Sequence, residues 1–353
     1  MDSSTSSYKK VALALGSGSA RGMAHIGVIQ RLGELGIKPD IIAGTSIGSV
    51  IAACYLTDHL EDFAEWIQTL SSAQVFHYMS ISLTATGGVA HATRLIEHFM
   101  AEYGNPNIED LDMPFAAVAT DLIRGREVWL QRGSLWEAVR ASMAIPGILT
   151  PVAYNESWLV DGGLVNPVPV SVCRALGADI IIGVDLNSDL VGRKKVDRDV
   201  KAPNSTEADN MPEEELVEEE ESEEEASPAE NDEESQLAAA FSRFASSVKE
   251  AAANWRSTPS VKKPEPPGTV GVMMSAINIM QDRITRSRLA GEPADIMLWP
   301  RLGHIGLLDF GDAAEAIAEG RDAVDRMLPA IRHAFDAEGD LRIAAPAPEG
   351  DED

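Results

Sequence analysis

Asp40 to Tyr55, DIIAGTSIGSVIAACY, is an apolar run that turns through Gly44-Thr45-Ser46-Ile47-Gly48 into a second apolar run. The pattern predicts a strand, a sharp turn and a helix, with Ser46 at the apex of a strained elbow and a helix N-terminus behind its hydroxyl. Gly44 and Gly48 suit places where a β-carbon would crowd the neighbouring strand or an approaching substrate. G-x-S-x-G is a weak signal alone, so its meaning depends on what the rest of the chain brings to it.

Upstream, Lys10 to Leu15 is a short apolar strand, and Gly16-Ser17-Gly18-Ser19-Ala20-Arg21-Gly22 leads into an amphipathic helix from about Met23 to Leu35. Gly36 ends that helix and Pro39 opens the strand that feeds Ser46. Two βα units in succession imply a parallel sheet, whose ligand sites lie at the carboxyl ends of its strands. Downstream, helices are expected from Asp58 to about Gln74 and from Thr93 to Glu102, with a loop at Gly87-Gly88 between them. Strands are expected at Phe115 to Thr120 and Glu127 to Leu130, then a helix from Ser134 to about Met143 and an irregular connection at Pro146 to Pro151. Trp158-Leu159-Val160 runs as a strand into Asp161-Gly162-Gly163, Val168 to Leu176 reads as a helix, and Asp179 to Asp185 reads as a buried parallel strand. Folded sequence resumes near Val270 with a helix through Arg288, a strand at Ile296 to Trp299 and a helix from about Gly311 to His333.

This pattern divides the chain into a polar tail (1–8), a core (9–186), an acidic low-complexity insertion (187–269), the C-terminal part of the core (270–335) and a flexible tail (336–353). The formal charge of −27 is concentrated: Glu207 to Glu234 holds sixteen acidic residues and no Lys or Arg, leaving −11 for the rest. Such a block buries too little apolar surface to offset its ordering entropy, so disorder is expected. Near 236–255, Leu237, Phe241, Phe244, Val248, Ala252 and Trp255 form one apolar stripe, read either as a helix docking on its own domain or as an interfacial or partner-binding helix. Nothing in the acidic insertion identifies a protein partner.

No interleaved basic and aromatic patch marks a nucleic-acid partner. Cys54 and Cys173 lie in apolar surroundings and read as buried small hydrophobes. The apolar stretch after Lys9-Lys10 is shorter than the ~7 to 15 residues of a signal peptide core, and Ile41 to Thr57 falls short of a bilayer span. A cytoplasmic location follows as the expectation.

Three loops thus converge on one sheet edge with what acyl transfer needs. A serine hydroxyl is a weak nucleophile unless a base takes its proton, and the negative charge developing on the carbonyl oxygen needs fixed donors. Ser46 is the candidate nucleophile, Asp161 the candidate base, and backbone N–H groups of the Gly16 to Gly22 loop the candidate oxyanion hole. Arg21 would steady that loop or meet an anionic headgroup. At its reference pKa of about 3.9 an aspartate is a feeble base at neutral pH, which leaves most of the rate to positioning and to the oxyanion hole.

GSGSARGMAHIGV, GTSIGS and DGGLVNPVPV, in that order, resemble the three motifs of the patatin-like phospholipases. ASMAIPGILTPV, INIMQDRITRSRL and GHIGLLDF resemble the bacterial branch related to neuropathy target esterase. The resemblance covers roughly residues 8 to 186 and 270 to 335. It implies a three-layer α/β patatin-like fold with a mostly parallel central sheet flanked by helices. It also implies a Ser46–Asp161 dyad working without histidine, an oxyanion hole at Gly16, Ser17 and Gly18, and a supporting shell of Arg21, Gly22, Gly44, Gly48, Gly162 and Gly163. Ser17 and Ser19 stand where glycines are common in the family, which is harmless provided neither position needs a left-handed backbone. The substrate implied is a phospholipid or lysophospholipid acyl ester, with no cofactor and with transient contact at a membrane surface.

Other readings remain open at this stage. The glycine loop is one residue off a dinucleotide fingerprint, but a nucleotide site would leave the Ser46 elbow unexplained. An α/β-hydrolase would order its triad Ser46, Asp161 and His304, although only about forty residues precede Ser46. A non-catalytic adaptor would present the acidic arm to a partner. His25 and the other histidines read as helix-surface or packing residues, and no cluster has metal-ligand spacing, so a metal site is not expected.

Overall fold

A computed structural model describes residues 9–70, 74, 78, 80–81, 88–189, 269–306 and 309–337. In chain order these form β1 (Val11–Leu15), a 3-10 turn (Ser19–Met23), α1 (Ala24–Glu34), β2 (Ile41–Thr45), α2 (Ile47–Leu56), α3 (Leu60–Thr69), β3 (Ser80–Ile81), β4 (Gly88–His91) and α4 (Thr93–Tyr103). There follow β5 (Phe115–Asp121), β6 (Arg126–Leu130), α5 (Leu135–Ser142), β7 (Gly147–Leu149), β8 (Val152–Tyr154), β9 (Ser157–Asp161), α6 (Val170–Ala175), β10 (Ile180–Val184), α7 (Thr269–Gly291), β11 (Ile296–Leu298) and α8 (Ala313–Ala337). The acidic block and the Leu237 to Trp255 stripe lie outside the described residues.

The main sheet runs β11-β10-β1-β2-β5-β9-β8, with β6 also on β5. β1, β2 and β10 are buried along their whole length, as strands covered by helices on both faces must be, and that is why they read as unbroken apolar runs. β11, β10, β1, β2 and β5 pair in parallel, whereas β6, β8 and β9 join antiparallel.

One register feature positions the site. β6 takes one edge of β5 along Ala117 to Asp121, so β2 and β9 must share the other. Thr45 of β2 pairs with Val118 and Asp161 of β9 pairs with Ala119. The two strands meet carboxyl end to carboxyl end along a single edge, which brings residues 115 apart in sequence together.

Several elements differ from expectation. α3 starts at Leu60 because Asp58, at φ 60°, lies in the left-handed region and breaks the helix entry. α6 begins only after Pro169, and α8 runs on to Ala337. β4 begins at Gly88, within the stretch expected as a loop, and the Pro146 to Pro151 connection contains β7 and the approach to β8. β3, β4 and β7 form a small second sheet. Strands this short carry no readable alternation. Asn187, placed by composition at the start of the insertion, is buried and bonded to the core. Both cysteines are free and buried, as expected.

Candidate active site

β2 delivers Ser46 at φ 57° and ψ −123°, in a region that L-residues avoid. Holding it there costs on the order of 1–3 kcal/mol, and the surroundings supply the restraint. The Ser46 N–H donates to Ser142 Oγ at 2.9 Å, and that hydroxyl donates onward to the Val118 carbonyl at 2.6 Å. Ser49 Oγ donates to the Ser46 carbonyl at 2.6 Å, and Thr45 Oγ1 to the Asn166 carbonyl at 2.8 Å. Gly48 lets α2 lie against the end of β1, since a β-carbon there would sit 2.2 Å from the Leu15 carbonyl oxygen. Gly22 makes the same allowance for the Ile47 side chain at 2.1 Å, and Gly44, Gly162 and Gly163 are in similarly close contacts.

Ser46 Oγ donates to Asp161 Oδ2 at 2.5 Å, and both residues are buried. The other carboxylate oxygen accepts from Gly163 N–H at 2.7 Å. Thr120 Oγ1 donates to the Asp161 carbonyl at 2.8 Å, and the Asp161 N–H donates to Ala144 O at 2.9 Å, so the residue is held at main chain and side chain alike. Burial pushes the Asp161 carboxyl up to about 6, against the pull of Ser46 and Gly163. The expectation of a feeble, ordinary aspartate is thereby corrected: the burial that costs stability makes this carboxylate a stronger base.

The glycine loop also requires correction. Gly16 N–H donates to the Val184 carbonyl at 3.1 Å and Ser17 N–H to the Pro167 carbonyl at 2.9 Å, so neither is available to an oxyanion. Gly18 N–H has no acceptor among the described residues. Ser17 avoids the left-handed region, but Ser19 does not: its φ is 52°.

Arg21 is buried, and its Nε donates to the Gly18 carbonyl at 3.2 Å. It steadies the loop, as one of its two expected roles required, and is closed off from any headgroup. Burial pulls its guanidinium down to about 10, with Asp185 opposing. His25 is wholly buried beneath the loop, with Nε2 2.8 Å from the Gly16 carbonyl. Burial brings its pKa to about 4, so the ring is neutral and must carry its hydrogen on Nε2 to face a carbonyl. His304, the rival base, is exposed and pairs with Glu315 at 2.7 Å.

Ser46 and Asp161 open into a cavity of about 90 Å³ whose walls include Ile47, Met143, Ile145, Ile148, Leu149, Leu164, Met274, Ile277 and Phe310. Gly18, Ser19, Asn278 and Gln281 add polar groups, and no histidine, lysine or arginine among the described residues lines it. Ser142, Asn166, Asn187 and Gln281 were not singled out in the sequence. Each acts through a partner far along the chain; the family-like segments that hold Ser142, Asn166 and Gln281 carried a signal, and Asn187 lay outside them.

A mixed α/β sheet with this serine elbow beside a buried carboxylate defines the class: a patatin-fold enzyme that hydrolyses lipid esters. The patatin-like phospholipase family model matches residues 13–174. Uncharacterized NTE family proteins of Mycobacterium tuberculosis and Mycobacterium bovis are 37% identical over 96% of this chain and 96% of their own. Lysophospholipase NTE1 of Coccidioides immitis is 38% identical over 51% of this chain, a match that spans 12% of the fungal protein. The chain belongs to the NTE family and carries the patatin-like phospholipase match within it. No helix among the described residues is long and apolar enough to cross a membrane.

Proposed function

We propose that this protein cleaves fatty-acyl esters of phospholipids or lysophospholipids through a Ser46–Asp161 dyad and an acyl-enzyme. The observation that carries the reading is the 2.5 Å bond from Ser46 Oγ to a buried Asp161 at the base of an apolar cavity. Ser46 Oγ attacks the acyl carbonyl carbon as its proton passes to Asp161 Oδ2. The charge on the carbonyl oxygen is met by the N–H groups of Gly18 and Ser19, both on the cavity wall. Collapse breaks the ester bond, and the alcohol or lysolipid leaves with the proton held by Asp161. Water then gives a proton to Asp161 as it attacks the acyl-enzyme, and release of the fatty acid returns that proton to Ser46. The acyl chain occupies the apolar cavity, while the headgroup, for which no cationic side chain among the described residues lines the wall, stays outside.

The same reading gives the enzyme a cytoplasmic location and transient contact with lipid surfaces. Two hairpin turns run past the level of Ser46: Leu122 N–H donates to the Trp158 carbonyl, and Tyr154 pairs with Ser157 beside it. Leu122, Ile123, Tyr154 and Trp158 are exposed there, next to Arg124 and Arg126. Exposed aromatic and aliphatic side chains at adjacent turns suit a headgroup boundary, while Arg124 and Arg126 pair with Asp121.

Ser46→Ala and Asp161→Asn are each expected to abolish release of fatty acid from a lysophospholipid, with circular dichroism unchanged. Retained turnover in either variant would contradict the dyad. His304→Ala is expected to leave turnover unchanged; its loss would favour a triad.

A further inference from the structure

We propose that Gln281 and Asn187 are positioning residues that aim the oxyanion donors and brace the base at the same time. The proposal rests on the Ser46 acyl-transfer reading. In a trans peptide the N–H points opposite to the carbonyl, so whatever grips a carbonyl also sets the direction of the next residue's N–H. Asn187 Nδ2 donates to the Ser17 carbonyl at 3.2 Å, which sets the Gly18 N–H. Arg21 Nε grips the Gly18 carbonyl, which sets the Ser19 N–H.

Asn187 is held in turn. Its Nδ2 also donates to Gln281 Oε1 at 3.2 Å, and Ser17 Oγ donates to that same oxygen at 3.2 Å. Because Asn187 Nδ2 faces a carbonyl that can only accept, the nitrogen must stand there and Gln281 must present its oxygen. Ser17, Asn187 and Gln281 are all buried, where a lost partner cannot be replaced cheaply by bulk water.

Gln281 reaches the other half of the machinery through its nitrogen. A β-carbon on Gly163 would lie 2.3 Å from Gln281 Nε2, so the amide rests on the turn whose N–H holds Asp161 Oδ1. One side chain from α7 therefore buttresses both the donors and the base.

The chemistry differs at the two positions: an acceptor is needed at 281 and a donor at 187. On a short-chain p-nitrophenyl ester at pH 8, Gln281→Ala and Asn187→Ala are expected to lower kcat about 10- to 100-fold with KM within twofold. That is less than the ~100- to 1,000-fold loss of a donor outright. Gln281→Glu keeps the acceptor and is expected to recover most of the loss, whereas Asn187→Asp loses the donor and is not. A role in packing alone would make the two near-isosteric variants equivalent.

Both alanine variants within twofold of the parent kcat, or Asn187→Asp as active as Gln281→Glu, would overturn the proposal. Should either alanine variant fail to fold, the comparison of Gln281→Glu with Asn187→Asp decides alone. Ser46→Ala, run alongside, separates the two levels: if it is inactive and the 281 and 187 variants are normal, only this inference falls.

Discussion

At the scale of single residues, the site sets catalysis against stability. Asp161 has a folded pKa of about 6 against an unfolded value of about 3.9, so between those limits the folded state binds more protons than the unfolded one. Stability should therefore fall as pH rises through that window, with the full penalty present above it. Two units correspond to roughly 2–3 kcal/mol as an upper bound. Asp161→Asn is accordingly expected to raise Tm at pH 7.5 and to narrow the difference in Tm between pH 5 and pH 7.5, while removing activity. Thermal unfolding of both proteins at the two pH values checks this, and an unchanged or lower Tm at pH 7.5 would contradict it. The pairing of Ser46 with Asp161 was legible because each sits in a local motif. The free N–H groups of the glycine loop were not: such a loop advertises donors, but which are consumed depends on the Val184 and Pro167 carbonyls, supplied from the far side of the fold. The role of Ser142 was hidden for the same reason, although its segment is family-like: it meets Ser46 across 96 residues.

At the scale of elements, the Ser–Asp contact is a consequence of register. β2 and β9 meet along one edge of β5, on consecutive partners Val118 and Ala119, and the dyad forms where they run out. The strands that build this frame were readable because β1, β2, β5 and β10 are buried throughout and therefore apolar throughout. The short strands β3, β4 and β7 left no such trace. Helix packing was hidden too. α1 and α8 approach through Gly27 and Gly320, whose β-carbons would lie 1.9 Å and 2.0 Å from the carbonyl oxygens of Ile317 and Ala24. Gly27→Ala and Gly320→Ala each push backbone against backbone, and each is expected to cost about 2–3 kcal/mol. Urea denaturation measures it; a loss under 0.5 kcal/mol, on the order of a surface change, would mean the helices slide apart freely.

At the scale of the whole molecule, the proposed function asks the chain to bring a buried, apolar cavity to a lipid while carrying a formal charge of −27. On the proposed reading the two hairpin turns past the Ser46 edge offer an apolar contact, with Ile123 65% exposed at the tip. Ile123→Asp is expected to reduce cosedimentation with phosphatidylglycerol-containing vesicles at least threefold while leaving hydrolysis of a soluble ester within twofold. Equal sedimentation of both proteins would contradict a lipid-facing role for these turns. The central claim is the nucleophile. Incubation with a fluorophosphonate, followed by intact mass and peptide mapping, is predicted to place one adduct on Ser46, absent from Ser46→Ala and strongly slowed in Asp161→Asn. An unmodified Ser46 in an enzyme that still releases fatty acid would contradict the account.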